Sequence, residues 1–147
     1  MFNLLTFWTG IQRDSTSVLE EQNKNTNHNY ETLMMMRKQA NELYNLTSNN
    51  EYSIHDIGSI INEGWMLKQK LASNITNKLI ESAYNKAISS GAIGGKLLGA
   101  GAGGFLSLLV PIKNREVVIN EMKNLNLTYF PIQNESDGTS IISNSYI

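Results

Sequence analysis

Seven of the chain's eleven glycines fall in one window, Gly91-Ala92-Ile93-Gly94-Gly95-Lys96-Leu97-Leu98-Gly99-Ala100-Gly101-Ala102-Gly103-Gly104-Phe105. No other feature restricts the fold as much. Glycine gathers where a backbone must take positive φ or lie against another backbone or a ligand, and it weakens regular helices and strands. The window therefore predicts a shaped loop, with the regular elements arranged around it.

Several glycine motifs can be tested against its spacing. A Walker A loop needs Ser or Thr after the Gly-Lys pair, and Gly95-Lys96 is followed by Leu97. Gly99-x-Gly101-x-x-Gly104 satisfies the bare dinucleotide pattern, which should open a helix. Here it runs into Phe105-Leu106-Ser107-Leu108-Leu109-Val110, a strand closed by Pro111. The uncharged run from Leu97 to Ile112, with Gly95-x-x-x-Gly99 at its start, is shorter than the ~20 residues a membrane helix needs. Two readings stay open. One is a turn that lets strands cross or a helix pack closely; the other is a nest of backbone N–H groups that takes a phosphate or another polar acceptor.

The rest of the chain alternates in period. Residues 2–8 are an apolar, strand-like run closed by Gly10. Residues 12–24 suit a helix, and from Tyr30 to Leu46 the apolar positions Leu33, Met36, Ala40 and Leu43 follow helical spacing. A polar break at Ser48 to Asn50 precedes a second pattern through Ile57, Ile60 or Ile61, Trp65 and Leu71. A third, with Asn74 as candidate cap, carries Leu79, Ile80, Ala83, Tyr84, Ala87 and Ile88. Phe105 to Val110, Leu127 to Ile132 and Thr139 to Ser143 read as strands, with a short helix capped by Asn114 between the first two. This order predicts an α+β fold, a ferredoxin-like split βαβ sandwich with helices on one face of a mainly antiparallel sheet, in a single domain over 1–147.

Composition narrows function by exclusion. Lys and Arg total 12 against 13 Asp and Glu, a net charge of −1, so no basic field exists for nucleic acid. Cysteine is absent, which removes disulfides, thiolate metal sites and cysteine nucleophiles. His28 and His55 have no second ligand at metal spacing and read as surface residues. Met1 to Trp8 is apolar but lacks a cationic leader, so a cytoplasmic location with no membrane association is expected. Trp65 and Met34-Met35-Met36 read as packing residues.

The segment Gly94-Gly95-Lys96-Leu97-Leu98-Gly99-Ala100-Gly101-Ala102-Gly103-Gly104-Phe105 resembles the third, C-terminal motif of the GHMP kinases, and most closely that of the kinases of D-glycero-D-manno-heptose 7-phosphate. Phe7-Trp8-Thr9-Gly10-Ile11-x-Arg13 with Ser17, Leu19 and Gln22 is similar to the segment that opens the C-terminal half of those heptose kinases. Trp65-x-x-Lys68 with Leu71, and Gly91-Ala92, fit as well. Three positions depart from the pattern: Ala102 stands at a usual glycine, Asn62 at a usual histidine, and Ser140 at a usual arginine.

The resemblance implies an ATP- and Mg-dependent phosphotransferase with an alcohol acceptor, a sugar phosphate. It implies that the amides around Gly99, Ala100, Gly101, Ala102 and Gly103 form one wall of the cleft, with Arg13 and Lys68 as contacts for the anionic substrate. No catalytic residue and no metal ligand is assigned. The family's N-terminal lobe brings a Pro-x-x-x-Gly-Leu-Gly-Ser-Ser phosphate loop, and these 147 residues contain none. The lobe is therefore read as absent and the chain as inactive alone. It would act with a separate N-terminal lobe or, alternatively, as a non-catalytic binding or homodimeric module.

Overall fold

The computed structural model describes residues 3–12, 16–49, 52–133 and 138–140. Four strands, β1 (Leu4–Trp8), β2 (Gly94–Leu97), β3 (Phe105–Leu109) and β4 (Thr128–Phe130), form one sheet in the order β2-β3-β1-β4. Every neighbouring pair is antiparallel. β1 and β2 thus run parallel on either side of β3, and β3 and β4 do so around β1. These are two interlocked split βαβ units, the predicted α+β sandwich. The first crossover carries α1 (Thr16–Lys24), α2 (Tyr30–Asn49), α3 (Ile54–Lys68) and α4 (Lys78–Ser89), and the second carries α5 (Arg115–Asn124).

The register fixes what each strand buries. Leu5 lies opposite Leu108 and Phe7 opposite Leu106, and all four are fully buried with Leu97, Ile75, Ile80, Val118 and Met122. On the other face Thr6 pairs with Ser107, buried and 3.4 Å apart between hydroxyls. Trp8, Phe105 and Phe130 extend that face as an aromatic strip, with ring centroids 5.0 Å and 5.3 Å apart. Phe130 is 51% exposed.

Local chemistry explains the helix starts. Ser53 and Asp56 form a reciprocal capping box on α3. The backbone and hydroxyl of Ser53 both donate to Asp56 and hold its carboxyl below the usual range. On α4 the cap is Asn77, whose Oδ1 accepts from Ile80 N at 3.1 Å, and not the expected Asn74. Asn114 stands at the α5 cap position but makes no side-chain cap bond; its Nδ2 instead donates to Gly91 O at 3.1 Å.

Two further expectations change. The apolar stripe of α2 does not enter the core: no α2 residue is buried, and Leu33, Met36, Ala40 and Leu43 are exposed or half-buried toward α3. The sequence also concealed β2, because Gly94-Gly95 looks like turn chemistry. In the structure these glycines lie where α3 crosses the sheet: a Cβ at Gly94 would sit 2.1 Å from Gly58 O, and one at Gly58 would sit 2.9 Å from Ile93 O. Of the expected strand at Thr139 to Ser143, Thr139 and Ser140 are not strand, and 141–143 lie outside the described residues.

Candidate functional site

β2 and β3 form a hairpin whose connection, 98–104, is the glycine loop, closed by Leu98 N donating to Phe105 O at 2.8 Å. Four loop residues take positive φ: Gly99 (78°), Gly101 (132°), Ala102 (66°) and Gly104 (93°). A loop so folded has little regular hydrogen bonding, so its shape depends on what ties it down.

Three segments tie it. Ala102 N donates to Ile75 O at 2.7 Å, and Asn77 Nδ2 donates to Ala102 O at 3.1 Å, fixing the loop to the entrance of α4. Gly104 N donates to Ile11 O at 2.9 Å, while Thr9 N and Oγ1 donate to Gly104 O at 3.0 and 2.8 Å, fixing it to the residues after β1. From the end of α3, Lys68 Nζ donates to Gly99 O at 2.5 Å and to Leu97 O at 3.5 Å. Burial, and then the nearby charge of Lys96, lower the Lys68 ammonium below its ordinary pKa.

The ties leave a defined remainder. Among the described residues, no group accepts from the backbone N–H of Gly99, Ala100, Gly101 or Gly103. Gly99 is exposed, Ala100 and Gly101 are half-buried, and Gly103 is buried. Unpaired amides in succession along a loop of alternating handedness are the construction of an anion nest.

The glycines differ in what they permit. A Cβ at Gly101 would meet Ile75 Cα and O at 2.9 Å, and one at Gly103 would meet Ile11 O at 2.6 Å. Gly99 has nothing within 4 Å. Gly101 is therefore a packing glycine, and a valine there would displace the buried Ile75 segment as well as crowd the loop. Gly99 is an open one.

Sequence-predicted residues divide accordingly. Gly99, Ala100 and Gly101 present free amides together. Ala102 is buried with its amide committed to Ile75, so it shapes the loop and offers no donor. Gly103 keeps a free amide inside the fold. Lys68 lies beside the loop with two of its donors on backbone carbonyls. Arg13 lies outside the described residues. Asn62 accepts from the Tyr84 hydroxyl at 2.7 Å, and burial pushes that phenol up to about 12. Trp65 is buried against Tyr84, in keeping with its packing role. Sequence reasoning missed Thr9, Ile75 and Asn77 as the loop's anchors. An Asn directly ahead of an amphipathic helix was the legible signal for Asn77. Among the described residues no group of three or more His, Cys, Asp or Glu is placed to hold a metal ion, and no helix is long and apolar enough to cross a membrane.

Comparison with known proteins places this arrangement. No family model matches the chain. It is 35% identical over 63 residues to the D-glycero-alpha-D-manno-heptose 7-phosphate kinase of Campylobacter jejuni, which is 42% of this chain and 19% of that protein. Its fold superposes on the Streptococcus pneumoniae phosphomevalonate kinase with a TM-score of 0.71 at 17% identity, covering 87% of this chain and 38% of that one. The chain has the fold of the C-terminal part of GHMP kinases. The L. major mevalonate kinase solved with R-mevalonate agrees, at a TM-score of 0.67 and 21% identity over 82% of this chain and 37% of that one. The chain spans under two fifths of the solved kinases it matches.

Proposed function

We propose that this chain is the C-terminal lobe of an ATP-dependent sugar kinase of the heptose-phosphate type, and that its glycine loop forms one wall of the phosphotransfer cleft. The observation that carries this reading is the set of unpaired amides at Gly99, Ala100 and Gly101 on a loop tied down at Gly99 O, Ala102 and Gly104. Phosphoryl transfer is mostly positioning and charge neutralisation. Donors already fixed in place stabilise developing negative charge without reorganising during the reaction. Lys68, pinned to Gly99 O, sets a positive charge at the loop's edge, and Arg13 would supply a bidentate contact to the sugar phosphate.

ATP would supply the transferred group and Mg would neutralise its phosphates. No carboxylate cluster for the metal exists among the described residues, so both would be held mainly by a lobe carrying the phosphate loop, from another part of the polypeptide or another chain. Without that lobe the chain should be inactive. A second reading, a non-catalytic binding or dimerising module, is favoured by the exposed Phe130 beside the half-buried Phe105.

Co-expression with a candidate N-terminal lobe and an assay of phosphate transfer from ATP to D-glycero-D-manno-heptose 7-phosphate tests the first reading. Turnover that requires both polypeptides is expected. Full turnover by the N-terminal lobe alone would refute it, as would micromolar ATP binding by this chain in calorimetry.

A further inference from the structure

Residues 71–77, which lead into α4, hold the middle of the glycine loop. Ile75 O accepts from Ala102 N at 2.7 Å, Asn77 Nδ2 donates to Ala102 O at 3.1 Å, and the Ile75 backbone lies 2.9 Å from where a Cβ on Gly101 would fall. Thr9 and Lys68 act at the two ends of the loop, on Gly104 and Gly99. Where the loop's middle lies, and with it the free amides, is therefore set by where 71–77 lies.

That segment is gripped in turn from α1 and the turn after it. Asn29, only 7% exposed, donates from Nδ2 to Leu71 O at 2.8 Å. Glu21 takes Ser73 with both carboxylate oxygens: Ser73 N donates to Oε1 at 2.7 Å and Ser73 Oγ to Oε2 at 3.1 Å. Hydrogen bonds to an ionised carboxylate are roughly twice as strong as neutral ones. Beyond Ser73, the side-chain oxygens of Asn74 and Thr76 are buried with no partner. The Glu21 clamp is thus the nearest polar hold upstream of the Ile75 carbonyl.

We propose that Glu21 is a positioning residue for the glycine loop. From α1 it sets the place of the Gly99, Ala100 and Gly101 amides through Ser73 and Ile75, with no hydrogen bond of its own to the loop among the described residues. Its consequence for turnover rests on the kinase reading above; its consequence for loop geometry does not. Donors fixed in advance lose their effect when displaced, and a misplacement of about 1 Å can cost about 10²-fold in rate.

Amide hydrogen exchange and ¹⁵N–¹H spectra of the full chain and three variants test this. Glu21→Ala removes both oxygens, and Glu21→Gln keeps one acceptor without the charge. Glu20→Gln removes the neighbouring charge, whose side chain makes no hydrogen bond or ion pair among the described residues. Exchange at Ala102 N–H should rise by about tenfold or more in Glu21→Ala, by less in Glu21→Gln and not in Glu20→Gln. The Gly99, Ala100 and Gly101 amide resonances should shift in the same order, while the β1 and β3 amides stay protected. In a reconstituted two-lobe kinase, Glu21→Ala should lower kcat about tenfold and leave the KM for ATP within about twofold, the pattern of donors that act in the transition state. Unchanged Ala102 exchange in Glu21→Ala, an equal rise throughout β1 and β3, or an equal effect of Glu20→Gln would each overturn the proposal. An unchanged kcat in an active Glu21→Ala enzyme would overturn its catalytic half. If the natural chain gives no turnover with its lobe, the kinase reading fails and the exchange result still decides the role of Glu21.

Discussion

Replacing Gly101 with alanine isolates the packing claim for the loop, because Gly99→Ala adds the same methyl to the same loop. Both positions have positive φ, where an L residue costs about 1–2 kcal/mol. At Gly99 the added Cβ meets nothing, so the strain is the whole cost. At Gly101 it would lie 2.9 Å from both Ile75 Cα and Ile75 O, and 3.1 Å from Ile75 Cγ2. Ile75 is fully buried and its carbonyl holds Ala102 N, so the segment cannot withdraw without losing that bond. Overpacking of this kind adds about 1–3 kcal/mol. Gly101→Ala should therefore cost about 2–5 kcal/mol and Gly99→Ala about 1–2 kcal/mol. Urea unfolding followed by tryptophan fluorescence, with Trp65 in the core, measures both. Equal destabilisation by the two variants would refute the close approach of Gly101 to Ile75.

Three other outcomes follow from the same geometry. Ala102→Gly should change stability by less than about 1 kcal/mol, since ~1–2 kcal/mol of relieved left-handed strain is offset by ~0.8 for a buried methyl and ~0.4–1 for a freer unfolded chain; a loss above about 2 kcal/mol in the same urea assay would contradict it. Asn77→Ala removes the α4 cap and the donor to Ala102 O together, and should cost about 1–3 kcal/mol in thermal unfolding, more than Ser53→Ala at the exposed α3 cap. Lys68 has a folded pKa below its ordinary 10.5, so the unfolded chain binds more protons between the two values and stability should rise with pH across that window. Thermal melts as the pH is raised toward 10.5 should show this rise in the natural chain and lose it in Lys68→Met; a Lys68→Met chain with the same slope would exclude Lys68 as its source.

What was legible in the sequence follows from what each signal encodes. β1, β3 and α4 could be placed because burying Leu5 and Phe7, Leu106 and Leu108, and Ile80, Ala83 and Ala87 requires apolar residues at fixed periods. β2 was hidden because its first two residues answer to a helix crossing at Gly58, a contact between positions far apart in sequence. The α2 stripe misled in the opposite way: its period was right, but it faces α3 across an open groove and buries nothing fully. At the site, the glycine motif announced a shaped loop. Which amides stay free depends on Ile75, Asn77, Thr9 and Lys68, and no local pattern links those residues to the loop. The alanine at 102 was visible as a departure, and the structure shows it holding positive φ while its amide serves as an anchor.

The most direct test of the cleft-wall role is the turnover number of the reconstituted two-lobe kinase carrying Gly99→Asn. Asparagine tolerates positive φ, and Gly99 has open space around it, so the fold should survive. The new side chain would put bulk and a competing polar group into the open space at Gly99, on the loop that carries the free amides. If those amides stabilise the transferring phosphate, kcat should fall by about 10²–10³, the loss seen when one fixed donor is removed from such a site. An unchanged kcat in a normally folded Gly99→Asn enzyme would contradict the account.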